Sequence, residues 1–196
     1  MNTVTKSVEF ITPEEYLEGE RVSEIRHEYV EGRVYAMAGA SDDHNRISGN
    51  IFVELRNALR GRRGEPFIND MKVKIPPTFA EAFYYPAVMI ACDPSDNAKY
   101  YRERPAVISE VLSPETQRTD EREKAIAYRA IPSLTTCVLV KQDCVAVTVL
   151  HRADPGWRSE VVQGRDAVLK LPDIGVEIPL ERIYERTALL PSSIPA

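Results

Sequence analysis

Two nearly continuous apolar stretches constrain the fold of this chain more than any other feature. Residues 84–91 (YYPAVMIA) and residues 106–112 (AVISEVL) are both short, and a polar, turn-rich segment separates them. Runs of this length and composition are typical of strands that are covered on both faces. We therefore expect two buried strands at the centre of a layered structure.

The sequence around these runs predicts helices and strands in mixed order. Apolar residues recur every three or four positions from Ile47 to Leu59, which predicts a long helix. The segment 93–104 is polar and is predicted to be a mobile loop. The other predicted elements are a short helix over 12–19, a hairpin over 27–37, a strand over 67–75, a helix through 125–129 that ends before Pro132, and strands over 135–140, 145–151 and 157–162. This order indicates an α/β or α+β layer architecture.

The length and composition are those of one globular domain. The chain has 196 residues, of which 43% are hydrophobic and 28% charged, and it contains no internal repeat. We expect a single domain over 1–196, with a frayed tail over 189–196 because two prolines stand there. The N-terminus lacks the pattern of a signal peptide, and no stretch is apolar for long enough to span a bilayer. The three cysteines fit reduced thiols, so we expect a soluble, cytoplasmic protein.

The charge balance and the motifs exclude several functions. The net charge is −5, which speaks mildly against a nucleic-acid coat protein but allows an enzyme with local basic patches. Arginines cluster over 56–63 and again at Arg118 and Arg122, and each cluster fits either a nucleic-acid contact or a solvated helix face. Nucleotide-binding loops, the serine-hydrolase elbow and the HExxH zinc motif are all missing from the sequence.

Glu110 is the most informative single residue because it lies inside the second apolar run. An ionised carboxylate in a strand covered on both faces costs several kcal/mol unless a cation or hydrogen-bond donors replace the lost water. Two interpretations remain open at this point. Glu110 is either part of a structural ion pair or an edge strand, or it is a metal ligand or acid/base group.

Lys124 is the natural candidate for the cation that faces Glu110. It follows Glu110 by fourteen positions on the predicted crossover helix, where it shares one face with Tyr128. The alternative is an exposed lysine on an acidic helix. Glu28 and His44 give weaker signals when taken alone, since an exposed glutamate and a helix-capping histidine are both ordinary.

Three stretches together resemble the Uma-type group of restriction endonucleases in the PD-(D/E)XK superfamily. They are residues 26–32 (RHEYVEG), 84–88 (YYPAV) and 109–116 (SEVLSPET), and the last continues through Asp120, Lys124 and Tyr128. The resemblance spans about residues 10–185. It implies a mixed central sheet flanked by helices, built like the restriction-endonuclease core.

The resemblance also implies an active site. Glu110, Lys124 and Glu28 would be catalytic, with Glu110 and the Val111 carbonyl holding Mg²⁺ or Mn²⁺. His44 and Arg118 would contact the substrate. The chain departs from the family at Ala87, where the family has the aspartate that bridges the metal, and Asp70 on a neighbouring strand is a conceivable replacement.

These features predict a metal-dependent DNA endonuclease whose activity is impaired by the missing carboxylate. The alternative is a catalytically inactive nuclease-fold protein that binds DNA or a protein partner. A homodimer is expected if both DNA strands are cut, because a two-fold axis would present one site to each strand.

Overall fold

The computed structural model describes residues 10–112 and 120–191. Its helices are α1 (Pro13–Glu20), α2 (Asp42–Ala58), α3 (Asp120–Arg129) and α4 (Leu180–Ile183). Its strands are β1 (His27–Val30), β2 (Arg33–Ala36), β3 (Glu65–Ile68), β4 (Lys72–Ile75), β5 (Ala82–Tyr84), β6 (Val88–Ala91), β7 (Tyr101–Arg102), β8 (Pro105–Leu112), β9 (Thr136–Lys141), β10 (Ala146–Arg152), β11 (Trp157–Gln163), β12 (Val168–Leu171) and β13 (Val176–Pro179). Among these residues, no helix has the length and apolar character that a membrane crossing requires.

The strands form two larger sheets and one small pair. The six-stranded sheet has the order β11-β10-β9-β8-β6-β3, and the five-stranded sheet has the order β2-β1-β5-β4-β7. Strands β8 and β9 are parallel, and the chain passes between them through α3. Most other neighbours are antiparallel, so the sheets are mixed. The predicted α+β class, with mixed sheets flanked by helices, is confirmed.

The central strands of the six-stranded sheet are covered on both faces, as their apolar sequences predict. Ile47, Ile51 and Leu55 of α2 pack with Val107 and Val111 of β8 on one face. Side chains of a strand alternate between its faces, and Ile108 of β8 accordingly belongs to a second cluster. That cluster contains residues of α3 and of the five-stranded sheet. Glu110 has the same parity as Ile108, so it points toward α3 and the second sheet.

Local sequence signals explain where the first helices begin. The Thr12 hydroxyl accepts a hydrogen bond from the Glu15 backbone, and the Glu15 side chain accepts one from the Thr12 N–H, which makes a capping box at α1. The Ser41 hydroxyl caps α2 by accepting from the His44 N–H. The hairpin predicted over 27–37 is β1 and β2, with Glu31 and Gly32 at positive φ in its turn.

Two predicted strands are each divided in two by the structure. The strand expected over 67–75 is β3 and β4, which belong to different sheets. The run over 84–91 is likewise interrupted: β5 ends at Tyr84 and β6 begins at Val88. Pro86 has no N–H to contribute to a ladder, which favours the break. Residues 85–87 connect the two strands, and their backbone N–H groups donate to the carboxylates of Glu28 and Glu110.

The loop predicted over 93–104 contains more order than its polarity indicates. Strand β7 lies within it and pairs in parallel with β4. The buried carboxylate of Asp96 accepts hydrogen bonds from the backbone N–H groups of Glu103 and Arg104. A carboxylate that accepts several N–H bonds in this way fixes a turn that would otherwise leave its donors unsatisfied.

Candidate active site

Glu110 lies near the carboxyl end of β8 and is bound by two neutral donors. The Tyr128 hydroxyl donates to Glu110 Oε1 at 2.5 Å, and the Ala87 N–H donates to Oε2 at 3.3 Å. Burial raises the pKa of Glu110, while the Lys124 charge and the Tyr128 hydrogen bond oppose that rise. The charge of Glu28 contributes to raising it. The structure therefore places Glu110 in the same electrostatic environment as Lys124 and Glu28.

Glu28 of β1 and Lys124 of α3 form an ion pair. Lys124 Nζ lies 2.6 Å from Glu28 Oε1, and the two side chains are 22% and 14% exposed. The Tyr85 N–H donates to the same carboxylate oxygen at 3.3 Å. Lys124 Nζ also lies 5.4 Å from the ring centroid of Tyr84. This lysine is thus held by a carboxylate and an aromatic face.

Ala87, the position at which the sequence resemblance implies a metal-binding aspartate, is buried. It is 3% exposed, and its carbonyl accepts a hydrogen bond from the Asn69 N–H at 3.1 Å. Its N–H points at the Glu110 carboxylate. The backbone at position 87 is therefore next to the candidate site, while the methyl side chain offers no oxygen ligand.

His44 lies in the first turn of α2, within the electrostatic influence of Lys124. Burial lowers the pKa of His44, and the Lys124 charge lowers it further. Its Nδ1 is buried, and none of the described residues forms a hydrogen bond with it. The helix start is tied to β8 because the Ser41 hydroxyl donates to Gln142, whose amide donates to the Leu112 carbonyl. The structure thus brings His44 toward the site, and its contact with substrate stays a prediction.

Three further residues that the sequence singles out are Val111, Arg118 and Asp70. Val111 directly follows Glu110 in β8, with its side chain in the α2 core. Arg118 lies outside the described residues. Asp70 forms an exposed ion pair with Arg26 at 2.6 Å, and its side chain is 66% exposed. The suggestion that Asp70 replaces the missing carboxylate is therefore not supported by its contacts.

Comparison with known proteins identifies the family. The profile of Uma2, described as "Putative restriction endonuclease", matches residues 13–181. The chain belongs to the Uma2 family. Two relatives from Synechocystis sp. support the assignment. The protein slr1290 is 33% identical over 91% of this chain and 93% of its own length, and sll1609 is 30% identical over 85% and 96%.

A solved structure supports the fold of this Uma2 protein. The crystal structure of a protein from Anabaena variabilis, titled "a putative nuclease belonging to DUF820", superposes with a TM-score of 0.72. It covers 89% of this chain and 97% of its own, at 16% sequence identity. This similarity shows a shared fold. The chain is thus a member of the Uma2 family and shares the fold of this solved structure, as the sequence resemblance predicts.

Restriction-endonuclease-like proteins generally use divalent metal ions, so the donor set of this Uma2 chain must be compared with that need. Among the described residues, no group of three or more histidine, cysteine or acidic side chains could hold a metal. Magnesium is nevertheless often held by one or two carboxylates, with water and substrate phosphates completing its shell. Glu110 and Glu28 are the two carboxylates that the candidate site offers for such an ion.

Sequence reasoning did not assign a role to three residues that build the site. Tyr128 was placed on the same face as Lys124, but its hydrogen bond to Glu110 was not expected. Tyr85, which belongs to the segment that contacts both carboxylates, and Lys72, which donates to the Tyr85 hydroxyl, also receive no role from the sequence. A lysine flanked by Met71 and Val73 in a predicted strand was the available signal for Lys72.

Proposed function

We propose that this chain is a metal-dependent DNA endonuclease whose phosphodiester hydrolysis is impaired by alanine at position 87. The observation that carries the proposal is the convergence of Glu110, Glu28 and Lys124 in one cleft. They come from a strand of each large sheet and from the helix between β8 and β9. Three charged groups in a partly buried cleft are difficult to explain as mere structure, because each loses water there.

Each residue of the candidate site has a different role in the proposed hydrolysis. Glu110 and the Val111 carbonyl would hold Mg²⁺ or Mn²⁺, and Glu28 would bind a second ion or steady Lys124. When bound, such an ion polarises a phosphate oxygen and lowers the pKa of a coordinated water. Lys124 orients the attacking water or offsets charge in the transition state, and its pairing with Glu28 fixes its position for this role. His44 and Arg118 are assigned to the DNA backbone.

Ala87 explains why the activity should be weak. A hard divalent cation needs several oxygen ligands, and an alanine side chain supplies none. In its place, the Ala87 N–H donates to Glu110 Oε2, and the Tyr128 hydroxyl donates to Oε1. An arriving ion would compete with both donors for the same carboxylate. We therefore expect low metal affinity and slow cleavage.

A second candidate is a nuclease-fold protein that has lost catalysis and binds DNA or a protein partner through the same cleft. The specific observation in its favour is that the described residues contain no group able to hold a metal with three protein side chains. Under this alternative, Lys124 and His44 would serve binding only.

Restoring the missing carboxylate separates the two candidates. Supercoiled plasmid is incubated with Mg²⁺ or Mn²⁺ and the wild-type chain, Ala87→Asp, Glu110→Gln, or the double variant. Slow nicking by the wild type, faster nicking by Ala87→Asp and none by either Glu110→Gln protein would support the impaired endonuclease. Nicking by Ala87→Asp alone would identify the natural chain as an inactive descendant.

Binding without cleavage needs its own measurement. The affinity of wild-type protein for duplex DNA is measured at several salt concentrations, because contacts to phosphates make affinity fall steeply with salt. A DNA-binding cleft predicts such a slope, and Lys124→Gln should reduce it. If no binding is detected at low salt and no variant cuts, the nuclease proposal fails.

A further inference from the structure

The segment between β5 and β6 connects the two carboxylates of the candidate site. Its N–H at Tyr85 donates to Glu28 Oε1 at 3.3 Å, and its N–H at Ala87 donates to Glu110 Oε2 at 3.3 Å. Pro86 between them has no N–H to donate. The spacing between Glu28 and Glu110 therefore depends on where the backbone of residues 85–87 is held.

That backbone is anchored by the Tyr85 side chain. The Tyr85 hydroxyl donates to Glu20 Oε1 at 2.9 Å and accepts from Lys72 Nζ at 3.1 Å. Lys72 Nζ also lies 5.0 Å from the centroid of the Tyr85 ring. One side chain thus connects an acidic and a basic group that lie on α1 and β4.

Both charged partners are deeply buried, which makes their arrangement specific. Lys72 is 6% exposed, and the Glu20 side chain is 4% exposed. Glu20 accepts further hydrogen bonds from the backbone N–H and from Nδ1 of His27, the residue before Glu28. Buried charges are tolerated only where their partners are fixed, so the positions of Tyr85 and His27 are tightly determined.

We propose that Glu20, Lys72 and Tyr85 form a positioning network that holds residues 85–87 and the start of β1 so that Glu28 and Glu110 keep their spacing. The side chains of these three residues act on the site through the backbone N–H groups that donate to the two carboxylates. The geometric part of the proposal stands on the contacts above, and its consequence for catalysis rests on the proposed endonuclease function.

Hydrogen exchange tests the geometric part without any cleavage assay. Tyr85→Phe keeps the ring and removes the hydroxyl, so the anchor to Glu20 and Lys72 is lost. Amide exchange at positions 85 and 87 should then accelerate about tenfold, the equivalent of one hydrogen bond of about 1.4 kcal/mol. If Tyr85→Phe folds poorly, Lys72→Met is used in its place. This variant removes the ammonium group that donates to the Tyr85 hydroxyl, and it should accelerate exchange at the same two amides.

A matched control separates local loosening from a general loss of stability. Tyr35 is 50% exposed, so Tyr35→Phe removes a hydroxyl outside the network. Amides of β10 report global unfolding in every variant. The proposal is overturned if exchange at 85 and 87 accelerates no more than at β10, or no more than in Tyr35→Phe.

Kinetics in the Ala87→Asp background then test the catalytic consequence. Adding Tyr85→Phe should lower kcat about tenfold and leave KM for DNA unchanged, because orientation changes while the DNA contacts remain. Glu20→Gln retains an oxygen that can accept from Tyr85, so its kcat should be higher than that of Glu20→Ala. If exchange accelerates as expected but no variant cuts DNA, the network is upheld and the endonuclease function is the part that fails. A rise in KM with kcat unchanged would contradict the positioning role.

Discussion

The two glutamates of the candidate site lie in one cleft but are compensated in different ways. Glu28 faces an ammonium group, since Lys124 Nζ lies 2.6 Å from its carboxylate. Glu110 accepts hydrogen bonds from the neutral Tyr128 hydroxyl and the Ala87 backbone N–H. The Lys124 charge acts on it through space, by lowering its pKa. Burial accordingly raises the pKa of Glu110. The comparison indicates that Glu28 already has a cation beside it, while Glu110 is the group with most to gain from a further cation.

The strongest test of this contrast is to remove the cation. Lys124→Met leaves the Glu28 carboxylate, which is 14% exposed, without its ion-pair partner. We expect a loss of about 2 kcal/mol in unfolding free energy, less than for a fully buried pair because solvent reaches both groups. Urea unfolding measures it. Glu28→Gln together with Lys124→Met should recover part of the loss, and a single-variant loss under about 0.5 kcal/mol would reduce the pair to an ordinary surface contact.

Removing the neutral donor should have a smaller effect. Tyr128→Phe keeps the buried ring and deletes the hydroxyl that donates to Glu110. We expect a loss of about 1.5 kcal/mol, typical of a hydrogen bond to a charged group, and a further rise in the pKa of Glu110. Tyr35→Phe, at an exposed position, should change stability by less than about 0.5 kcal/mol. Equal losses of unfolding free energy in Tyr128→Phe and Tyr35→Phe would show that the hydrogen bond to Glu110 does not stabilise the protein.

The raised pKa of Glu110 gives a pH dependence of known sign. A carboxyl group whose pKa is higher in the folded state binds more protons there than in the unfolded chain. Its contribution to stability is fully present below its unfolded pKa and is lost as pH rises through the folded pKa. The stability of wild type relative to Glu110→Gln should therefore fall with rising pH, with a slope of at most about 1.4 kcal/mol per pH unit. Urea unfolding from pH 4 upward checks this, and a flat or rising difference would contradict it.

The sequence was sufficient for the position of Glu110 but not for its partners. An acid inside an apolar strand, followed by a lysine on the next helix, predicts a charged cleft, and the structure brings these residues together. The pairing of Lys124 with Glu28 and of Tyr128 with Glu110 depends on how β1 and α3 pack against the six-stranded sheet. That packing is set by many apolar contacts, so no local pattern reveals it.

The same limit explains why the positioning network was missed. Lys72 and Lys74 alternate with Val73 and Ile75, a pattern that is typical of one solvated face. Lys74 follows that pattern with a partly exposed ion pair to Glu103, whereas Lys72 is buried beside the Tyr85 ring. The difference arises from the chain crossing at residues 85–87, a tertiary feature that strand periodicity does not contain.

The smallest expected effect concerns Asp70, the nearby acid that could be mistaken for a replacement of the lost carboxylate. Its carboxylate pairs with Arg26 at 2.6 Å, with side chains 66% and 50% exposed, and exposed pairs of this kind contribute about 0.5 kcal/mol or less. Asp70→Asn should therefore barely change unfolding and should leave any Mn²⁺-dependent nicking unchanged. If this variant lost the residual cleavage of the wild type, Asp70 would have to move into the cleft when metal binds. The proposal that Ala87 makes the activity weak would then fail, and the contrast between Glu28 and Glu110 would have to include a third carboxylate.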